Sequence, residues 1–200
     1  ISKIVYYIVP ASAFSNIKNN DAWEREKLQR DAIASALNEC TGVSNTDILF
    51  ISDVDEIWNP EMLPTIQSML IDSPDRFVRL CQQMYYYNLH WLFERQWERA
   101  IACFVGFIEP PGEDKLFSPE NIRRASTNGL PIAYAGWHLS YFMSPEQIAE
   151  KINNFSHQEL NTDEFKSVMH SRNAIKKGLD LYDRAFRYLY QDTCPRFLIH

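Results

Sequence analysis

Apolar positions along this chain fall into short, nearly continuous runs separated by stretches with helical spacing. Lys3-Ile4-Val5-Tyr6-Tyr7-Ile8-Val9, Asp47-Ile48-Leu49-Phe50-Ile51-Ser52 and Ala100 to Phe107 are such runs. Another starts near Phe77 and continues through Val78, Leu80 and Gln82 toward Tyr87, and a further one spans Pro131 to Leu139. Short apolar runs bounded by Ser, Asn, Gly and Pro predict strands. Asp47–Ser52 lacks polar alternation, which predicts a strand buried on both faces, as in a parallel sheet.

Between the runs, helix signals recur. Asp21 and Glu24 have capping-box spacing and predict a helix to about Asn38. Asn59-Pro60 reads as an N-cap followed by a first-turn proline, with Leu63, Ile66 and Leu70 as the inward stripe. The loop-rich region 109–131, with Pro110, Pro111 and Gly112, holds a short helix from Ser118 to Ala125. Ser144-Pro145-Glu146-Gln147 is the strongest helix start, with Ile148, Ile152 and Phe155 inward. Asn161 and Glu164 open one more helix, with Phe165, Val168, Met169 and Ile175 inward and Gly178 as its stop. The tail through Tyr182, Phe186, Tyr188 and Tyr190 reads as a last helix. The order strand, helix, strand, helix, strand predicts an α/β fold, and 200 residues fit a single domain, 1–200.

Composition narrows the partners. The chain is 46% hydrophobic and 23% charged, with a net charge of −6 and no basic block. Nucleic acid is a poor partner for that surface, because neutralising phosphates dominates such binding. An anionic sugar nucleotide is compatible with it if a bound metal supplies the positive charge. No stretch of about 18 apolar residues is present to span a membrane, and no leader is legible. The chain opens at Ile1 rather than Met, so we expect a trimmed form, with any membrane attachment made through a segment outside it. Cys40, Cys81, Cys103 and Cys194 lack CxxC spacing. They read as buried thiols, with a Cys81–Cys103 disulfide as the alternative.

The most informative stretch is Asp47 to Glu56, where an apolar run passes directly into Asp53, Asp55 and Glu56. In open α/β sheets ligands bind beyond the carboxyl ends of strands. Strand periodicity would put Asp53 and Asp55 on one side of the chain. Two adjacent carboxylates repel unless a proton or cation intervenes, and an oxygen-only pair suits Mn²⁺ or Mg²⁺ shared with a substrate phosphate. The competing reading is that Asp53 caps the next turn and Glu56 faces solvent.

Three further segments carry candidate chemistry. Helical spacing aligns Glu26 and Arg30 with Ile33 and Leu37, which would hold Arg30 near a phosphate or base; an exposed ion pair is the alternative. Tyr85 to Trp97 holds six aromatics in thirteen residues. Tyr87, Asn88, His90, Trp91 and Trp97 there suit the CH faces and hydroxyls of sugar rings, against plain core filling. Trp137 and His138, followed by His157 and Glu159 beyond the Ser144 helix, offer a base or a metal ligand.

Together these segments resemble glycosyltransferase family 17. The strings that carry the likeness are WEREKLQRDAI, DILFISDVDEIWNP, YYYNLHW and GWHLSYFMSPEQIAEKINNFSHQELN. The likeness implies a GT-A-like (Rossmann-like) mixed sheet flanked by helices and lacking the family's first strand. It also implies inverting transfer of a sugar, GlcNAc in the best-known members, from a UDP-sugar to a saccharide hydroxyl. Asp53 and Asp55 fall on the family's DxD, the metal and donor-phosphate site, with Glu26, Arg30 and Asp53 toward the donor. Trp58 stands where a smaller residue is expected. Inversion requires a base, and Glu56, His138, His157 and Glu159 are the candidates. The chain would be Golgi-lumenal if eukaryotic and cytosolic if microbial. The readings that compete are a non-catalytic saccharide- or nucleotide-sugar-binding module and a different metal-dependent phosphoryl enzyme.

Overall fold

The computed structural model describes residues 4–18, 21–109 and 116–192. In chain order its main elements are α1 (Ala22–Glu39), β1 (Ile48–Ile51), β2 (Glu56–Trp58), α2 (Leu63–Asp72), β3 (Val78–Leu80), β4 (Gln82–Tyr86), β5 (Trp91–Trp97), β6 (Ile101–Phe104), α3 (Pro119–Arg124), β7 (Leu130–Ile132), β8 (Gly136–Ser140), α4 (Pro145–Asn154), α5 (Val168–Lys177) and β9 (Tyr188–Tyr190). This is a mixed α/β fold with two mixed sheets and flanking helices. The chain forms two compact units. One is Ile1–Ser52, Pro60–Leu80 and Glu98–Ile132, and the other is Asp53–Asn59, Cys81–Trp97 and Ala133–His200.

The first unit holds a four-stranded sheet in the order β1-β6-β3-β7. Strand β6 is antiparallel to β1 and β3, and β7 runs parallel to β3. Ile51, Phe77, Ile101, Cys103 and Ile122 form its core, with Ile33, Leu49, Phe107 and Ile108 against them. Asp21 caps α1 by accepting from the Trp23 and Glu24 amides. The second unit holds a five-stranded sheet in the order β2-β8-β4-β5-β9. Its core joins Met84, Tyr86, Tyr87 and Tyr141 to Ile148 and Ile152 of α4, Ala174 of α5, and Leu181 and Tyr182. The Ser144 signal is realised in full: Ser144 Oγ accepts from the Gln147 amide and Gln147 Oε1 accepts from the Ser144 amide.

Several expectations are corrected. Residues 4–10 form no strand; Ile4, Val5, Tyr6 and Ile8 are exposed. An apolar run supplies propensity, but a strand also needs a partner ladder. Strand β1 is antiparallel and lies at a sheet edge, with only Ile51 buried, rather than parallel and covered on both faces. The runs near Phe77–Tyr87 and Pro131–Leu139 each divide between the two sheets, as β3 with β4 and β7 with β8. Leu63 is exposed at the start of α2. The helix expected from Asn161 begins at Val168, capped by Ser167, with Met169 exposed; Gly178 stops it in the left-handed conformation, as its position predicts. The tail forms strand β9 beside β5, not a helix. Its alternating aromatics satisfy strand period as well as helix period, and pairing decides. Cys40, Cys81 and Cys103 are thiols, and burial pushes that of Cys103 up to about 12. Lys3, Pro110, Pro111, Gly112 and Cys194 lie outside the described residues.

Gly136 fixes where β8 meets β2. Its φ is +146°, and a Cβ there would sit 2.1 Å from the Ile57 carbonyl oxygen. Gly136 faces Trp58 in the ladder, which brings Glu56 opposite His138 two residues further on. Gly136→Ala should therefore cost about 2–4 kcal/mol through backbone strain and lower Tm by roughly 5–15 °C in thermal unfolding. An unchanged Tm would contradict this close approach.

Candidate functional site

The site is built around the turn that follows β1. Asp53 to Glu56 closes on itself, with the Glu56 amide donating to the Asp53 carbonyl at 3.0 Å. Val54 at its tip is fully exposed. The two aspartates thus sit in a turn rather than on a strand with period two, which corrects the same-side argument made from the sequence. The second half of the turn is pinned to β8, since the Leu139 amide donates to the Asp55 carbonyl at 2.8 Å.

Glu56 holds the turn together from inside. It is 4% exposed, so it does not face solvent. One carboxylate oxygen accepts from the Asp53 amide at 2.9 Å, and the other accepts from the Trp97 indole Nε1. A buried carboxylate is stable only when its oxygens meet donors, and here both donors belong to the site. Glu56→Gln would turn an amide NH2 group toward one of them. We expect a loss of about 1–3 kcal/mol in urea unfolding, together with loosening of the Asp53 turn; unchanged stability would mean that these bonds carry no load.

His138 lies opposite Glu56 and is 6% exposed. Its ring meets the Trp97 indole edge-on, with centroids 4.4 Å apart. Its Nε2 is 3.8 Å from Asp55 Oδ2, too far for a hydrogen bond, and its buried Nδ1 has no hydrogen-bond partner among the described residues. Burial lowers the imidazole pKa, while the charges of Asp55, Glu56 and Asp53 oppose that shift and Lys151 adds to it. Lys151, on the last turn of α4, places Nζ 3.8 Å from Asp55 Oδ2 and 4.8 Å from the centre of the Tyr141 ring. Asp55 is therefore bordered by two nitrogens, neither at hydrogen-bond distance, so its lone pairs stay available.

The charge balance and donor chemistry fit a divalent cation. Three carboxylates meet one lysine, and Glu56 is occupied by its two donors. Asp53 and Asp55 would offer hard oxygen ligands, too few to enclose an ion alone but of the type that shares one with a substrate phosphate.

The remaining sequence candidates fall elsewhere. His157 Nδ1 lies 2.7 Å from Glu159 Oε1, and both residues are exposed; the His157 hydrogen bond lowers the Glu159 carboxyl below its ordinary value. Tyr87, Asn88 and His90 line an open cavity of about 590 Å³ with Leu89, Phe142, Met143 and Asp192. His90 stacks on Tyr190. Trp91 donates its indole N–H to the Ile175 carbonyl and covers Gly178, and Trp137 is buried in β8. Arg30 pairs with Glu26 at 3.1 Å, as helical spacing predicts, and also with buried Glu120, all within the first unit. Sequence reasoning missed Lys151 and the tie between Trp97 and Glu56. The only signal for Lys151 was its place beside Ile152 on a strongly capped helix.

The family model for glycosyltransferase family 17 matches residues 1–196. The chain belongs to glycosyltransferase family 17. It is accordingly an enzyme of sugar transfer, acting on a sugar donor and an acceptor. No curated protein and no solved structure matches it. For this family 17 chain, the Asp53–Glu56 turn, Trp97, His138 and Lys151 converge in the second unit, whereas the Glu26–Arg30 segment belongs to the first. No helix of the described residues is long and apolar enough to cross a membrane.

Proposed function

We propose that this family 17 enzyme is a metal-dependent, inverting transferase that moves GlcNAc from UDP-GlcNAc to a saccharide hydroxyl. The observation that carries the reading is the Asp53–Glu56 turn. It holds Asp53 and Asp55 in one turn whose backbone is fixed through Glu56, Trp97 and Leu139. Asp53 and Asp55 would hold Mn²⁺ or Mg²⁺, which when bound neutralises charge on a leaving diphosphate. Lys151 adds a fixed positive charge beside the same carboxylate.

His138 is assigned as the base that takes the acceptor proton. Glu56 is engaged by two donors, and His157 and Glu159 pair with each other in solvent. Neither ring nitrogen of His138 has a hydrogen-bond partner among the described residues. A base needs such an uncommitted nitrogen within reach of the proton. The cavity bordered by Tyr87, Asn88, His90 and Asp192 supplies apolar faces and polar tips of the kind that hold sugar rings, and we assign the acceptor to it.

The test is UDP release from UDP-GlcNAc in Mn²⁺, with and without chelator, alongside calorimetric titration with UDP-GlcNAc. Metal-dependent release is expected. Absence of UDP-GlcNAc binding in Mn²⁺ would overturn the reading. His138→Asn should lower kcat by about 10²–10⁴-fold with little change in donor affinity. Glu159→Gln should transfer at the wild-type rate, and equal losses in both variants would remove His138 from the role.

A further inference from the structure

A second group of metal-ligating side chains lies in the same unit, in the segments on either side of α5. Glu164 comes from the turns before the helix, His170 from its first turn, and Asp183 from the turn after Gly178. One ligand atom from each lies within 4.8 Å of the others. We propose that Glu164, His170 and Asp183 form a zinc site that ties the segment before α5 to the turn that leads into β9.

Three observations converge on it. The first is the state of the histidine. His170 Nε2 is 2.8 Å from the Leu181 carbonyl oxygen. A carbonyl can only accept, so Nε2 carries the hydrogen and Nδ1 keeps its lone pair in the neutral ring. A ligating histidine commonly has its other nitrogen held by a backbone carbonyl in this way, which fixes tautomer and ring orientation. With Nε2 engaged by Leu181, Nδ1 would be the ligand atom of the site.

The second is the unanswered charge. Among the described residues neither Glu164 nor Asp183 pairs its carboxylate with a cationic side chain. The nearby cations are spoken for: Lys166 lies 3.4 Å from Asp163, and Arg184 is paired with Asp180 at 2.8 Å. Two carboxylates gathered about one imidazole, with their neighbouring cations turned to other acids, leave negative charge for an ion to neutralise. The third is ligand type. One imidazole with two carboxylates is a donor set for a borderline transition ion, with the remaining positions open to water. Mg²⁺ prefers oxygen ligands and retains its waters, so it would not compete well here. The ligand atoms would have to draw together slightly from their present spacing, and two of the three lie in turns that can give.

The consequence is structural. α5 supplies Ala174 and Ile175 to the second core, while the turn after it holds Leu181 and Tyr182 in that core. An ion held by Glu164, His170 and Asp183 would fasten both ends of this packing.

The experiment uses the full chain, stripped with chelator and titrated with zinc sulfate, with bound zinc measured after desalting and Tm recorded at each step. One zinc per chain and a rise in Tm are expected. Asp183 has φ +53°, a conformation Asn tolerates, so Asp183→Asn keeps the fold and tests the ligand. Asp183→Asn and Glu164→Gln should each weaken zinc binding by at least about tenfold and remove most of the rise in Tm, while their zinc-free Tm stays at the wild-type value. Asp55→Asn should bind zinc as the wild type does. The proposal is overturned if zinc is not retained, if both variants bind it as the wild type does, or if binding disappears in Asp55→Asn instead. In Asp55→Asn, a Mg²⁺-induced rise in Tm equal to that with zinc would also overturn it.

Discussion

Asp55→Asn is expected to cut metal-dependent transfer by at least about 10³-fold, corresponding to roughly 4 kcal/mol of transition-state stabilisation. The substitution keeps the volume of the side chain and removes one anionic ligand from the Asp53–Asp55 pair. Glu56 cannot take its place, because its oxygens accept from the Asp53 amide and the Trp97 indole. The backbone of Asp55 should stay put, since its carbonyl accepts from the Leu139 amide and does not depend on the side chain. The fold should therefore survive, with Tm near that of the wild type. Loss of activity with an intact fold separates a ligand from a structural residue. UDP release and thermal unfolding measured on the same preparation decide the matter, and retention of more than a tenth of the wild-type rate would exclude Asp55 from the metal site.

A second large effect, on stability, is expected at Asp180. Its carboxylate is 1% exposed and accepts from the Tyr182 and Arg184 amides, from the Arg184 guanidinium at 2.9 and 2.8 Å, and from the Tyr188 hydroxyl at 2.7 Å. Burial alone would raise its pKa, but the bonds from Arg184 and Tyr188 outweigh burial and hold it below the ordinary carboxylate value. Asp180→Asn removes the charge and turns an amide toward these donors. A broken buried pair costs about 3–5 kcal/mol. The Arg184 side chain is 38% exposed and can recover some hydration, so roughly 2–4 kcal/mol is expected in urea unfolding. Arg172→Ala, which removes an exposed pair with Glu146, should cost less than about 1 kcal/mol.

The pH dependence follows from the same depressed pKa. The folded-state value lies below that of the unfolded chain, about 3.9. The stabilisation from Asp180 is therefore fully present above that value and is lost as pH falls through the folded-state one. The gap in unfolding free energy between wild type and Asp180→Asn should be constant near neutrality and shrink in acid below about pH 4. The charged partner facing the carboxylate, Arg184, keeps its proton throughout, and Tyr188 stays neutral, so neither complicates that range. A gap that persisted unchanged in acid would remove Asp180 as its source.

How much was legible in the sequence varied with the range of the interaction. Helix starts set by a single side chain and the amides just after it read correctly: Asp21, Ser118 and Ser144 all cap where their spacing predicts. Gly178 likewise stops α5, through its own tolerance of positive φ. Strands fared less well, because a strand exists only with its partner. The run at residues 4–9 forms no strand, β1 pairs antiparallel rather than parallel, and two continuous apolar runs divide between different sheets. The tail aromatics fitted a helical period and form β9 because β5 offers an edge.

By itself the sequence determined the family, which ordered strings of residues carry, and a carboxylate pair directly after an apolar run stands out without coordinates. Only the tertiary structure decided what each of those residues is free to do. Glu56 reads from the chain as a candidate base or a solvent-facing acid beside the Asp53–Asp55 pair, yet β2–β8 pairing buries it between two donors. The same pairing sets His138 beside Trp97 and Asp55, and α4 brings Lys151 to that carboxylate. Residue type is written locally, whereas burial, partners and charge balance come from residues 40 to 100 positions away, and no local pattern encodes those contacts.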